Sequence, residues 1–379
     1  MSHRFRYGAW FIACLLVFGA AVWLPGCSND SSPTSAEQTS MTANLTNDDD
    51  GVPLKADDPR VLSVMAIQDR HTPALMADPD VIGTATTAGD DGKPAIMVLV
   101  LSDRAGRGVP KQIEGVGVKV VLTDKIVAMG KPPSSSVSHT AKQTPPIQLG
   151  TSGGWRYDLA NGYCCGGTLG SLIQVGSQKR ILSNYHVFEA DIVLGDNNKA
   201  AATGDYIIQP GLIDVSCNAA NAQNVATLVK TSSLPNNNVD CSSATIITGM
   251  VREDGAILEV GTLSASTVAA YVNQPVKKSG RTTGLTRSTV SGLNATISVA
   301  YENECAGGSA FTKTFTGQIL IANKRSKFLA GGDSGSLMVE DLSTNPRAVG
   351  LLFAGSTTIA VANPIGQVLS FLGASMVGY

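Results

Sequence analysis

Residues 332–336, Gly-Asp-Ser-Gly-Ser, form a glycine-rich turn that leads into the apolar run Leu337-Met338-Val339. A serine hydroxyl is a poor nucleophile until a neighbouring base takes its proton, so Ser334 can do chemistry only if the chain supplies that base. Histidine is the usual one, and the sequence has four. His3 precedes a long apolar run, His71 lies in a small N-terminal unit and His139 in a Pro/Ser-rich stretch. His186, in Ile-Leu-Ser-Asn-Tyr-His-Val, is alone inside the β-rich region and stands where an apolar strand gives way to a loop, a position that active-site residues favour. The third member is an acid that fixes the imidazole tautomer and stabilises the imidazolium. Among Asp191, Asp196, Asp205, Asp214, Asp240 and Asp254, Asp240 is preferred because it follows an Asn-rich turn and opens the apolar strand Cys-Ser-Ser-Ala-Thr-Ile-Ile. Asp214, in Gln-Pro-Gly-Leu-Ile-Asp-Val-Ser-Cys, is the alternative. The backbone N–H groups of Gly332 and Ser334 can point together at a substrate carbonyl, and each such donor is typically worth ~10²–10³ in rate.

These residues need elements to hold them. From about 150 to the C-terminus the sequence offers short strands separated by turn residues, among them GTLGSLIQV, RILSNYHV, ATIITGM, NATISVAY, TGQILIA and AVGLLFAG, and only NPIGQVLSFLG looks helical. The expectation is an all-β domain over 150–379, its first half about 150–262 and its second about 263–379. A small α+β unit over 59–130 precedes it. Val61, Leu62, Met65 and Ala66 suggest one helical face ended or kinked by Pro73, VIGTATT and PAIMVLVL flank a turn as a hairpin, and VGVKVVL is a further strand. Residues 131–149 read as a linker and 28–58 as a polar, flexible tether.

At the N-terminus Arg4 and Arg6 precede an apolar run that ends at Leu24-Pro25-Gly26-Cys27, the layout of a signal peptide. The ending resembles the lipobox of bacterial lipoproteins. That resemblance implies export, diacylation of Cys27 and a lipid-anchored place in the cell envelope, with Ser28 favouring the outer membrane. An uncleaved anchor helix over 7–25 is the rival reading. Of the seven cysteines, Cys164, Cys165, Cys217, Cys241 and Cys305 remain beyond Cys14 and Cys27, an odd number in an oxidising compartment. One or two disulfides are expected, with at least one thiol free and buried. The formal charge is −2 and no basic stripe is present, so nucleic acid is not an expected partner. No metal cluster, flavin fingerprint or phosphate loop is found. Lys-Ser-Gly-Arg-Thr-Thr-Gly lacks the P-loop pattern, so no cofactor is expected. Oligomeric state is not legible.

Gly-Asp-Ser-Gly-Ser resembles the nucleophile motif of trypsin-like serine proteases, with Ser336 where many members carry Gly. The order His, Asp, Ser is that of chymotrypsin, and the gaps of 54 and 94 residues compare with about 45 and 93 there. Val-Asp-Cys-Ser-Ser-Ala resembles the bacterial aspartate motif, and Ser-Asn-Tyr-His-Val the histidine motif, though Val187 stands where the usual cysteine would brace the loop. Together with Gln-Pro-Gly, Gly-Arg-Thr-Thr-Gly-Leu-Thr and Val-Gly-Leu-Leu-Phe-Ala-Gly, the pattern is most like a subgroup of bacterial trypsin-like proteins and the plant narrow-leaf proteins. The resemblance implies two six-stranded antiparallel β-barrels with a C-terminal helix. His186 and Asp240 would come from the first barrel and Ser334 from the second. It implies a serine endopeptidase acting on polypeptides. A catalytically inactive binding module and an esterase on the same triad are the alternatives. It also implies that the backbone of Phe353, Ala354 and Gly355 pairs with an extended peptide. Ser356, Thr357 and Thr358 would line a neutral or polar pocket. Phe328, at the place of an acidic pocket floor, implies no preference for basic residues. Asp333 needs an internal cation, Arg281 or Lys278. The 59–130 unit would be a pro-region or a docking module.

Overall fold

Seventeen residues from Pro59 to Leu75 form helix α1. Pro59 sits in its first turn, where a missing N–H costs nothing, and the Asp58 carboxylate caps it by accepting from Arg60 N at 2.8 Å. The fold belongs to a computed structural model that describes residues 53–128, 138–160, 163–189, 199–301 and 310–379. The expected signal segment, Cys27, most of the tether and Cys305 lie outside these residues. Among the described residues no helix is long and apolar enough to cross a membrane.

The α1 face turned inward is Val61, Val64, Gln68 and Thr72, while Leu62, expected on that face, is 50% exposed. Two polar side chains in the stripe explain the difference: Gln68 donates to Asn294 O at 2.8 Å and accepts from Thr86 Oγ1 at 2.8 Å, so the helix is tied to a sheet by hydrogen bonds as well as by apolar contact. Strands β1 (Val81–Ala88) and β2 (Pro94–Val100) form the expected antiparallel hairpin. Helix α2 (Asp103–Gly108) then crosses over to β3 (Val116–Leu122), which lies parallel to β2.

The first barrel is built from β4 (Thr151–Trp155), β5 (Gly167–Leu169), β6 (Ser171–Val175), β7 (Gln178–Ser183), β8 (Tyr206–Gln209), β9 (Gln223–Val229) and β10 (Ser242–Ile246). Their order is β6-β7-β10-β9-β8-β4-β5. Because β5 and β6 are one run interrupted at Gly170, this order closes on itself as six strands. The second barrel comprises β11 (Pro275–Gly280), β12 (Gly284–Tyr301), β13 (Phe311–Ala322), β14 (Leu337–Glu340), β15 (Ala348–Gly355) and β16 (Ile359–Pro364). Here the order β11-β14-β15-β16-β13-β12 is closed by pairing of β12 with β11. Helix α3 (Tyr185–Phe188) follows β7, and α4 (Ile365–Leu372) follows β16. Ile365, Val368 and Leu369 of α4 join the first barrel's core with Trp155, Leu182 and Val225. The all-β reading, the two barrels and the C-terminal helix therefore hold.

Three boundaries need correction. The 59–130 unit is not a separate body: β1 pairs with β12 (Thr84 opposite Thr296), so β1, β2 and β3 extend the second barrel's sheet. The tether ends early, because Leu54 and Lys55 pair with Val272 and Tyr271, and Leu54 is buried. The described end of the 131–149 linker is part of the fold. His139 lies buried between Gly150 O (2.9 Å) and Glu259 (2.7 Å), and Ile147 and Leu149 enter the first core. Cys164 is bonded to Cys217, Cys165 is also in a disulfide, and Cys241 is free and buried.

Candidate active site

Antiparallel pairing of β7 with β10 sets Ser183 opposite Ser242. His186 lies three residues after the end of β7 and Asp240 two before the start of β10, so the register brings both to the same end of adjacent strands. Asp240 is wholly buried, and its Oδ2 meets His186 Nδ1 at 2.6 Å. Its Oδ1 accepts from Tyr185 N at 2.7 Å and, more weakly, from His186 N at 3.4 Å. The Tyr301 hydroxyl donates to Oδ2 at 2.8 Å. Burial next to the Asp240 charge drives the Tyr301 phenol well above its ordinary pKa, so it stays a neutral donor. The Asp240 backbone is fixed as well: Asn184 Nδ2 donates to its carbonyl at 2.7 Å, and its amide donates to Asn363 Oδ1 at 2.9 Å. Glu189, just past α3, accepts from Thr231 N, Ser232 N and Ser242 Oγ, which anchors the helix that carries His186.

Ser334 stands in the second barrel, in the turn before β14. Gly167 lies between the two halves. A β-carbon on it would come within 2.7 Å of Val187 Cγ2 and 2.8 Å of Ser334 O, so only glycine lets the helix of His186 approach the nucleophile turn. His186 Nε2 is buried and has no hydrogen-bond partner among the described residues. The Ser334 hydroxyl is turned toward Phe353 O at 3.4 Å, a long contact.

The peptides that carry the two expected oxyanion donors are held by their carbonyls. Thr282 Oγ1 donates to Gly331 O, and Asp333 O accepts both the amide (2.9 Å) and the hydroxyl (2.5 Å) of Ser336. In a planar trans peptide the C=O and the following N–H point in opposite directions. Fixing these carbonyls therefore turns the Gly332 and Ser334 amides away from the anchors, and among the described residues neither amide donates to a protein acceptor. Thr168 Oγ1 holds Gly332 O at 2.9 Å. Gly332 has φ +87°, and a β-carbon there would strike Thr282 Oγ1 and the Arg281 guanidinium. Ser336, where many trypsin-like members have Gly, thus has a definite positioning contact.

The cation question has a clear geometry. Lys278 Nζ lies 3.5 Å from Asp333 Oδ2, both wholly buried, and also donates to Gly284 O at 2.9 Å. Burial pulls the Lys278 pKa below its ordinary value, and the Asp333 charge opposes that shift. Asp333 further accepts from Thr282 N, Thr283 N, Thr283 Oγ1 and Ala330 N. Arg281 is not the Asp333 partner. It forms a two-point pair with Asp214, at 2.5 and 2.7 Å, which removes Asp214 as an alternative triad acid. Phe328 is buried in the second barrel's core with Val276, Val290 and Ile321. Residues 356–358, expected to line a pocket, instead bond to the chain's own residues: Ser356 and Thr358 to Thr123 (2.7 and 2.6 Å), and Thr357 to Asp124.

Sequence reasoning missed Tyr301, Asn363, Thr168 and Thr282. Tyr301 closes the alternating run Asn-Ala-Thr-Ile-Ser-Val-Ala-Tyr, where an aromatic residue looks like core, and only its distance to Asp240 distinguishes it. Residues 216–362 match the family model of the Nal1 C-terminal domain. No curated protein matches the sequence. Among solved structures, the chain is similar to Thermobifida fusca protease A, with 19% identity over 62% of this chain and 99% of that one, at a TM-score of 0.39. It is also similar to Cellulomonas bogoriensis chymotrypsin (20% identity, 56% and 91% covered, TM-score 0.34) and to Nocardiopsis protease (15%, 55% and 90%, 0.37). The two closed barrels, the C-terminal helix and the strand order described above constitute a trypsin-like, chymotrypsin-type fold.

Proposed function

We propose that the chain is an exported serine endopeptidase that hydrolyses peptide bonds through Ser334, His186 and Asp240. One observation carries the reading: His186 is held through Nδ1 on a buried carboxylate while its other nitrogen, Nε2, is buried without a partner among the described residues. An imidazole arranged in this way is poised to take a proton at Nε2, and the charge it gains falls beside Asp240. In the reaction the Ser334 hydroxyl leaves Phe353 O and turns to Nε2. Its oxygen bonds to the substrate carbonyl carbon, and its proton passes to His186. The Gly332 and Ser334 amides receive the negative oxygen. Collapse breaks the C–N bond, and the leaving amine takes the proton from His186. A water molecule, deprotonated by the same nitrogen, then bonds to the acyl carbon. The Ser334 oxygen–carbon bond breaks, the acid is released, and the proton passes from His186 back to Ser334. The same steps would cleave an ester. A binding-only fold is the second reading, favoured by the present orientation of Ser334 toward Phe353 O.

Export with lipid anchoring at Cys27, in the bacterial cell envelope, is part of the proposal and rests on the N-terminal sequence alone. The test is covalent labelling of the purified protein by a fluorophosphonate, with peptide mapping. Label on Ser334 that disappears in folded His186→Ala and Asp240→Ala variants supports the triad. A folded protein that takes no label at Ser334 refutes it. For the anchor, incorporation of a palmitate analogue should be abolished by Cys27→Ser, and incorporation that persists in that variant refutes the site.

A further inference from the structure

The backbone expected to receive a peptide substrate is already occupied by the chain itself. Val127 and Gly355 exchange both main-chain hydrogen bonds, Val127 N to Gly355 O and Gly355 N to Val127 O, each at 3.0 Å. The pairing is antiparallel, so the segment Thr123–Ala128 is directed along β15 from Gly355 toward Ala354, the neighbour of Phe353. Phe353 is the residue whose carbonyl faces the Ser334 hydroxyl. Counting along that register sets Ala128 opposite Ala354. On its other side the segment bonds to β12, through Ala300 N to Ile126 O (3.1 Å) and Ala128 N to Ala300 O (3.2 Å). Ile126 is fully buried and packs in one cluster with Tyr185, Tyr301, Phe315 and Phe353. Upstream, Thr123 and Asp124 engage the hydroxyls of residues 356–358.

An extended segment with this direction, these main-chain bonds and an aliphatic side chain in an aromatic-lined recess has the features of a peptide added to a sheet edge. We infer that Thr123–Ala128 is an intramolecular occupant of the substrate strand, which makes the enzyme latent toward polypeptides until the segment is displaced. The inference rests on the proposed function, because an occupied edge has regulatory meaning only beside a working nucleophile. It also gives the 59–130 unit a role: Thr123–Ala128 covers the β15 edge at Gly355 and Ala354 that a peptide would need to reach Ser334. The recess holding Ile126 further implies that a displacing substrate carries an aliphatic residue there.

The test compares the full-length protein with Val127→Pro, which removes the donor to Gly355 O, and with Asp124→Ala, which loosens the solvent-side anchor at Thr357. Two readouts are used: fluorophosphonate labelling of Ser334, which needs only the serine and its partners, and hydrolysis of fluorescein-labelled casein, which needs the strand edge. Labelling is expected in all three proteins. Casein hydrolysis should be slow in the parent and rise about tenfold in Val127→Pro, the factor expected for one or two lost main-chain hydrogen bonds. A smaller rise in Asp124→Ala keeps the inference testable if Val127→Pro does not fold. Equal casein rates in the parent and the folded variants, with equal labelling, overturn the inference. Absent labelling in every protein refutes the nucleophile instead, and occupancy is then judged by amide exchange at Gly355. Slow exchange in the parent that is lost in a variant supports occupancy, and free exchange in the parent overturns it.

Discussion

Two carboxylates frame the candidate site, Asp240 in the first barrel and Asp333 in the second, and both are wholly buried. Their surroundings differ in kind. Asp240 is met by neutral donors, Tyr185 N and Tyr301 Oη, and by one imidazole at 2.6 Å that can gain and lose a proton. Asp333 is met by backbone amides, a threonine hydroxyl and a lysine at 3.5 Å whose other bonds among the described residues are to Thr283 Oγ1 and Gly284 O. Equal burial therefore serves two purposes. The first site suits a charge that comes and goes during a reaction cycle. The second suits a charge that is permanent, which stiffens the turn from Ala330 to Ser336.

The sharpest way to break this comparison is Asp240→Asn. It should leave the fold intact and lower the rate of casein hydrolysis by about 10⁴-fold, as in the comparable triad substitution. Unchanged turnover in this variant would make Asp240 merely structural. At the second site Lys278→Met strands a buried carboxylate and should cost about 3–5 kcal/mol of stability in a denaturant titration. Adding Asp333→Asn to it should recover part of the loss, and failure to recover any would mean that the two groups are not energetically paired. Tyr301→Phe removes one neutral donor to a charged acceptor, worth about 1.5–3 kcal/mol. The melting temperature and turnover should both fall, far less than with Asp240→Asn, and an unaffected pair of readouts would show that the other donors suffice. The smallest effect is expected at Cys241, whose thiol is driven well above its ordinary pKa by burial and by the neighbouring charges of Asp240 and Glu189. It should resist iodoacetamide in the native protein and react on unfolding, and rapid native alkylation would contradict that environment.

The pairing of His186 with Asp240 was legible because the chain has so few histidines and because the order and spacing of these two residues and Ser334 follow one template. Asp240 over Asp214 was legible too, from its place at a strand start. What could not be read was any relation between residues far apart in the chain. Lys278 and Arg281 are three positions apart, and no pattern in the strand tells which side chain reaches Asp333 and which reaches Asp214. Tyr301 is separated from Asp240 by 61 residues, and its alternating strand gives it the profile of a core aromatic. The small unit looked independent because its own pattern, helix then hairpin then strand, is complete. Its pairing with β12 sets Thr86, Thr84 and Gly83 opposite Leu293, Thr296 and Ile297, a mixed register with nothing in its residue types to announce it. The supposed linker misled for a simpler reason: its prolines, serines and lysines hid His139, Ile147 and Leu149, which the fold buries.

The shared sheet has a consequence for any processing of this chain. The residues before Ala128 and those after Ser138 are held together by the pairing of β1 with β12 and by the clamp of Gln68 on Asn294, not only by the peptide that joins them. A cut in the intervening stretch would thus yield two polypeptides on a denaturing gel and one particle in solution. Severing the backbone would change the connectivity of the molecule and leave its composition intact, so that a nicked chain would still carry its N-terminal piece.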